Sequence, residues 1–157
     1  MTANAAIYAP TGRIIESEEL CTIAAGAMVE TSPAPVGCAA QFHVAWPDCK
    51  VIINVMRPED IPAHIDGFLG WIWAFREAIG PLDDDSEQTM VALENDIADT
   101  KQVLGIVIEP ELDQEGKCKQ LIRGICAYCG GLFFAHDSIY TCDGTVLVGT
   151  ADAPDYR

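Results

Sequence analysis

The sequence predicts an α+β fold: a two-layer sandwich made of a mainly antiparallel sheet and about three helices. Two segments, 38–56 and 138–148, each have the pattern of two strands joined by a turn. Three others, 60–79, 86–100 and 112–128, carry apolar residues at helical spacing. Because hairpins dominate and strands do not alternate strictly with helices, a doubly wound parallel sheet is disfavoured.

The first hairpin is predicted from side-chain alternation. Every second residue from 40 to 46 is apolar, and this period of two buries one face of a strand. Pro47 and Asp48 supply a turn. Lys50–Met56 then returns as a strand rich in β-branched residues.

The longest predicted helix covers residues 60–79. Pro62 is tolerated in its first turn, where amide groups have no helical partner, and Gly80 followed by Pro81 ends it. Its apolar residues occupy more than one face, so we expect the helix to be buried on more than one side.

The remaining elements follow from shorter patterns. Acidic residues at 83–85 predict the N-terminus of the second helix, and residues 103–108 and 132–135 read as strands. Asp143-Gly144 is a strong signal for a two-residue turn between strands 138–142 and 145–148. We expect one domain over residues 1–157, with 1–37 its less certain segment.

Composition restricts the class of function. The chain has 157 residues and a formal net charge of −15, from 24 acidic and 9 basic residues. This balance disfavours nucleic acid, which requires cationic side chains, and anionic membrane surfaces. It favours a basic partner or simple solubility. Seven cysteines, an odd number, and the lack of a leader pattern at residues 1–9 predict free thiols in the cytoplasm.

Four residues near the C-terminus form the candidate metal site. Cys126 and Cys129 have the spacing of a zinc-ligand pair, and His136 and Cys142 supply two further ligand types. The second pair lacks the standard spacing and is expected on separate strands. Cys126 and Cys129 also close a helix, where the dipole raises a thiol pKa and opposes redox chemistry. We therefore expect no cofactor, with zinc as the alternative.

Other motifs have simpler explanations. His136, Asp137 and Ser138 contain the residue types of a hydrolase triad, but neighbours in a strand face opposite sides. The acidic run 83–87 lacks the glycine of a calcium loop and is explained by helix capping. Neither phosphate-binding glycine motif is present.

The first long helix holds the candidate interaction site. His64 and Trp71 are spaced at i and i+7 with Gly67 between them, which predicts the floor of a pocket or ordinary packing. Trp73 projects to the other side of the apolar stripe. Tryptophan is favoured at the centres of protein interfaces, so this helix is also a candidate homodimer contact.

These observations favour a non-catalytic binding or protein-interaction module. Its expected partner is a second copy of the chain or a basic protein, as for an acidic inhibitor that steers toward a basic target. Two alternatives stay open. One is a zinc- or thiol-dependent protein that uses the C-terminal cysteines. The other is a small-molecule enzyme with acid–base groups drawn from Glu59, Asp60, His64 and His136.

Overall fold

The computed structural model describes residues 3–11, 13–109, 116–149 and 152–157. The elements in chain order are β1 Ala3–Ala9, α1 Ser17–Ile23, β2 Met28–Ser32, β3 Cys38–Ala45, β4 Lys50–Met56, a 3-10 turn Pro58–Asp60, α2 Ile61–Ile79, α3 Asp84–Ala98, β5 Gln102–Glu109, α4 Lys117–Cys129, β6 Leu132–Ala135, β7 Ser138–Tyr140 and β8 Val146–Val148.

The strands form one antiparallel sheet with the order β2-β3-β4-β5-β1-β6-β7-β8. The two predicted hairpins are present, since β3 pairs with β4 and β7 pairs with β8. The two-residue turn predicted for the second hairpin is wrong, because the amide of Thr141 donates to the carbonyl of Thr145 and leaves three residues between them. The N-terminal strand β1 lies in the interior of the sheet, between β5 and β6. Both edges of β1 are therefore taken by strands from distant parts of the chain.

Helices cover both faces of the sheet, so the two-layer expectation is wrong. Ile7 belongs to a core that includes Leu121 and Ile125 of α4. Its neighbour Tyr8 packs against a second core that includes Phe68 and Ile72 of α2. Successive side chains of a strand point to opposite faces. Helices α1 and α4 therefore lie on one face, and α2 and α3 on the other.

The helix that the sequence did not predict is α1, which brings the described residues to four α-helices rather than about three. It has only seven residues, and Leu20 is its one buried side chain. At its start, the backbone amide of Glu16 donates a hydrogen bond to the Glu19 carboxylate at 3.1 Å. A single buried residue gives no helical period, which explains why the segment was ambiguous.

Helices α2 and α3 are joined by charged and capping interactions. The guanidinium of Arg76 donates to the carboxylates of Glu87 and Glu94, the latter at 2.6 Å. The predicted cap is confirmed, because Oδ1 of Asp83 accepts a hydrogen bond from the Ser86 amide at 2.7 Å. No helix within the described residues is both long and apolar enough to cross a membrane.

The turn between β6 and β7 consists of His136 and Asp137, with φ of 52° and 53°. Two left-handed residues between paired strands are typical of a type I′ turn. The expectation that His136 lies in a strand is therefore wrong. The C-terminal segment packs beside this hairpin, where the buried Tyr156 ring contacts Phe133 and Tyr140 at centroid distances of 4.8 and 4.9 Å.

Candidate functional site

A cavity of about 260 Å³ lies between α2 and the sheet, and we call it the α2 pocket. Aromatic and small residues form its walls, namely Tyr8, Ala63, His64, Gly67, Phe68, Trp71 and Phe134. The helix supplies five of them at a spacing of three or four residues, which places them along one side of α2. Strands β1 and β6 supply the other two.

Sheet register brings Tyr8 and Phe134 to the same face. Ala6 of β1 is paired with Phe134, and Tyr8 lies two residues further along β1. Paired residues share a face, as do residues two apart in one strand. The sheet therefore presents both rings toward α2.

The rings of the pocket contact one another edge to face. The centroid of Phe68 lies 4.4 Å from that of Tyr8 and 5.1 Å from that of Phe134. Trp71 lies 4.8 Å from Phe134 and stacks on Phe75 at 5.4 Å. Phe68 is buried, whereas Tyr8, Trp71 and Phe134 are only half-buried. The three half-buried rings leave aromatic surface accessible beside the cavity.

Two polar groups also line the pocket. Among the described residues, neither the hydroxyl of Tyr8 nor the imidazole of His64 has a hydrogen-bond partner, and both side chains are half-buried. Burial raises the pKa of the Tyr8 phenol above its usual range, so this group stays protonated at neutral pH. The pocket thus offers a hydroxyl and an imidazole to a bound group.

Gly67 keeps one wall of the pocket open. An added Cβ at this position would meet no atom within 4 Å. Gly67 therefore leaves room that a larger side chain would occupy. Asp66, the preceding residue, is exposed. It is one source of the negative charge carried by a chain with a net charge of −15.

The structure brings together three of the four candidate residues of the helix. His64, Gly67 and Trp71 line the α2 pocket. Trp73 does not line it, and 57% of its surface is exposed on the outer side of α2. No local pattern identified Tyr8 or Phe134, because their approach to α2 depends on strand pairing between distant segments.

The four candidate zinc ligands have different surroundings. Cys126 and Cys129 are fully buried on the inner face of α4, and Cys142 is exposed. His136 lies in the β6–β7 turn, where its Nε2 is 3.0 Å from the hydroxyl of Tyr156. Within the described parts of the chain, no three histidine, cysteine or acidic side chains are placed to hold a metal ion.

The buried thiols are poorly suited to redox chemistry. Burial raises the pKa of the Cys126 thiol far above its usual range, and it raises the pKa of Cys129 to about 11. Sγ of Cys129 donates a hydrogen bond to Oε1 of Gln102 at 3.4 Å. Because the thiolate is the reactive form, these two cysteines are unreactive at neutral pH.

The candidate acid–base residues are not gathered at one site. Asp60 accepts a hydrogen bond from Nε of Arg57 at 2.9 Å, and Glu59 lies 3.7 Å from the same nitrogen. His136 contacts Tyr156, which belongs to the core on the α4 face. His64 faces the α2 pocket on the other side of the sheet. Among the described residues, no hydrogen bond joins any two of these four side chains.

No protein-family model, curated protein or solved structure matches this chain.

Proposed function

We propose that the protein is a non-catalytic binding module that holds a cationic side chain of a basic protein partner in the α2 pocket. The observation that carries the proposal is the half-buried aromatic lining of the pocket by Tyr8, Trp71 and Phe134. The negative face of an aromatic ring attracts a guanidinium or ammonium group, by about 0.5–1 kcal/mol when exposed and about 2 when desolvated.

Charge and polar groups favour a cation over a neutral apolar group. A net charge of −15 raises the local concentration of basic molecules and speeds their association. The hydroxyl oxygen of Tyr8 is available to accept a hydrogen bond from a guanidinium, and the His64 ring lies in the same pocket. Arginine combines a planar face for stacking with five such donors, so it is the preferred side chain.

A matched pair of peptides tests this proposal. The first is acetyl-Lys-Gly-Arg-Gly-Lys-amide, and the second has citrulline in place of arginine. Citrulline keeps the planar shape but has no charge, so the pair isolates the contribution of the cation. Isothermal titration calorimetry is expected to give about tenfold weaker binding for the citrulline peptide, since tenfold corresponds to about 1.4 kcal/mol.

Two glycine substitutions on α2 locate the binding site. Gly67→Leu fills the α2 pocket and is expected to abolish the difference between the two peptides. Gly70→Leu is the matched control, because Gly70 is equally open and lies on the same helix but does not line the pocket. Equal loss in both variants, or equal affinity for both peptides in the unaltered protein, would contradict the proposal.

The exposed indole of Trp73 supports a second proposal, that two copies of the chain associate through the outer side of α2. An indole with 57% of its surface exposed is a typical interface anchor. Native mass spectrometry at micromolar concentration is expected to give a dimeric mass that Trp73→Glu reduces to the monomeric mass. A monomeric mass for the unaltered protein would rule this contact out.

A further inference from the structure

A second and larger cavity, of about 420 Å³, lies at one end of the sheet, and we call it the strand-end cavity. Segment 14–16, the start of β3, the end of β4 and the start of β5 meet there. Its surface is mostly apolar and includes the buried side chains of Ile15, Phe42 and Ile61. This volume lies within the range of small-molecule sites, roughly 300–1,000 Å³.

One buried polar side chain lines this cavity. Gln102 is only 7% exposed, and its Oε1 accepts the hydrogen bond from the Cys129 thiol. Within the described residues its Nε2 has no hydrogen-bond partner. This NH₂ group is not among the buried unsatisfied side-chain atoms, so it meets solvent in the cavity. An acceptor brought by a ligand would hydrogen-bond it in place of water.

The orientation of the Gln102 amide follows from the protonation state of the Cys129 thiol. Burial raises the pKa of the Cys129 thiol to about 11, so the thiol is protonated at neutral pH. A protonated thiol donates to the carbonyl oxygen of the amide. The NH₂ group of Gln102 is then the one left to donate to a ligand.

The mouth of the cavity carries a charge of each sign. Lys101 and Glu16 both line it, and both are exposed. Lys101 precedes Gln102 in the chain, and its backbone amide is fixed by a hydrogen bond to the carbonyl of Ala9 at 2.7 Å. Lys101 and Gln102 therefore lie at the same end of the cavity.

We propose that the strand-end cavity binds a medium-chain carboxylate, a class of ligand distinct from the cationic partner of the α2 pocket. The carboxylate accepts a hydrogen bond from the Gln102 amide and attracts the Lys101 ammonium group. The alkyl chain lies against Ile15, Phe42 and Ile61, which removes apolar surface from water.

Sodium decanoate, below its micellar concentration, is the probe for this site. Calorimetry is expected to show one saturable site per chain. Lys101→Gln is expected to weaken binding about twofold to fivefold, the range for an exposed charge pair. Glu16→Gln is expected to strengthen binding, because it removes the opposing charge. 1-Decanol, which has the tail without the charge, is expected to bind more weakly than decanoate.

A cavity-filling variant establishes where decanoate binds. Ala40→Leu adds three carbon atoms at the cavity wall and is expected to remove saturable binding. Gly67→Leu is the control, since it alters only the α2 pocket and should leave the decanoate affinity unchanged. The proposal is overturned if decanoate shows no saturable binding at millimolar concentration, or if Ala40→Leu binds it as well as the unaltered protein. Neither result bears on cation binding in the α2 pocket.

Discussion

At the scale of single residues, burial rather than sequence motif decides what the cysteines do. Cys126 and Cys129 have the spacing of a ligand or redox pair, yet both side chains are completely buried. Burial stabilises the protonated thiol, and at Cys129 it outweighs the opposing effect of the Arg13 charge. Spacing alone could not predict this, because it does not say how deeply the C-terminal half of α4 is packed.

Thiol labelling tests this description of the cysteines. We expect rapid alkylation by iodoacetamide at neutral pH at the two exposed residues, Cys21 and Cys142. Cys38 is half-buried and should react more slowly, and the buried Cys49, Cys118, Cys126 and Cys129 should react only on unfolding. Peptide mass spectrometry identifies each labelled site. Rapid labelling of Cys126 or Cys129 in the folded protein would contradict this order.

Asp143 gives a residue-scale prediction that depends on pH. Its carboxylate accepts hydrogen bonds from the hydroxyl of Thr141 and from the amide of Thr145, the latter at 3.0 Å. These bonds lower the pKa of Asp143 to about 2, below its unfolded value of about 4. A pKa lowered by folding stabilises the protein above the unfolded pKa, and this contribution is lost as the pH falls from about 4 to about 2.

The matched variant for this pH dependence is Asp143→Asn. We expect Asp143→Asn to lose less stability than the unaltered protein between pH 4 and pH 2. Thermal unfolding at each pH measures this difference. Asp137→Asn in the preceding turn is the control, because no hydrogen bond involving the Asp137 carboxylate is found among the described residues. Identical pH profiles for the unaltered protein and Asp143→Asn would show that the turn contributes nothing to acid stability.

At the scale of elements, α2 packs against the sheet but contains two glycines that lower its intrinsic helix stability. Gly67 and Gly70 lie inside the helix, where glycine is less favourable than alanine by about 1 kcal/mol. A Cβ at either position would meet no atom within 4 Å. We therefore expect Gly67→Ala and Gly70→Ala each to raise the free energy of unfolding by up to about 1 kcal/mol.

Gly80 is the control for these helix substitutions. It follows the last residue of α2 and has a φ of +78°, a conformation that disfavours alanine. Gly80→Ala should therefore lower the free energy of unfolding, measured by denaturant titration. If Gly67→Ala is stabilising and also weakens binding of the arginine peptide, glycine is retained at this position for binding. If Gly67→Ala is destabilising, the open space described beside α2 is absent.

The elements that the sequence predicted well are those with a strong local pattern. Strands β3 and β4 alternate, α2 and α3 have helical stripes with caps, and each was placed within a few residues of its position. The short helix α1 has one buried residue and no stripe, so it was missed. Of the residues that line the α2 pocket, the sequence spacing singled out only His64, Gly67 and Trp71. The others are Tyr8, Ala63, Phe68 and Phe134.

At the scale of the whole molecule, the interior position of β1 explains why helices cover both faces of the sheet. It also explains how the α2 pocket forms. Ile7 and Tyr8 face opposite cores, so this strand requires cover on both sides. The helices therefore divide between the two faces, and the two-layer expectation fails. Local sequence patterns do not specify which distant strands pair, because that choice depends on the burial of all strands together.

The central claim, that the α2 pocket holds a cationic side chain, is tested most directly by NMR titration. The chain has three tryptophans, whose indole resonances are assigned by substitution. Trp71 lines the pocket, Trp73 lies on the outer side of the same helix, and Trp46 packs against the core on the other face. We expect the arginine peptide to shift the Trp71 indole resonance saturably while the other two move little. We expect the citrulline peptide to shift Trp71 to the same extent only at about tenfold higher concentration. A Trp71 resonance that does not move, or that moves equally with both peptides, would contradict the account.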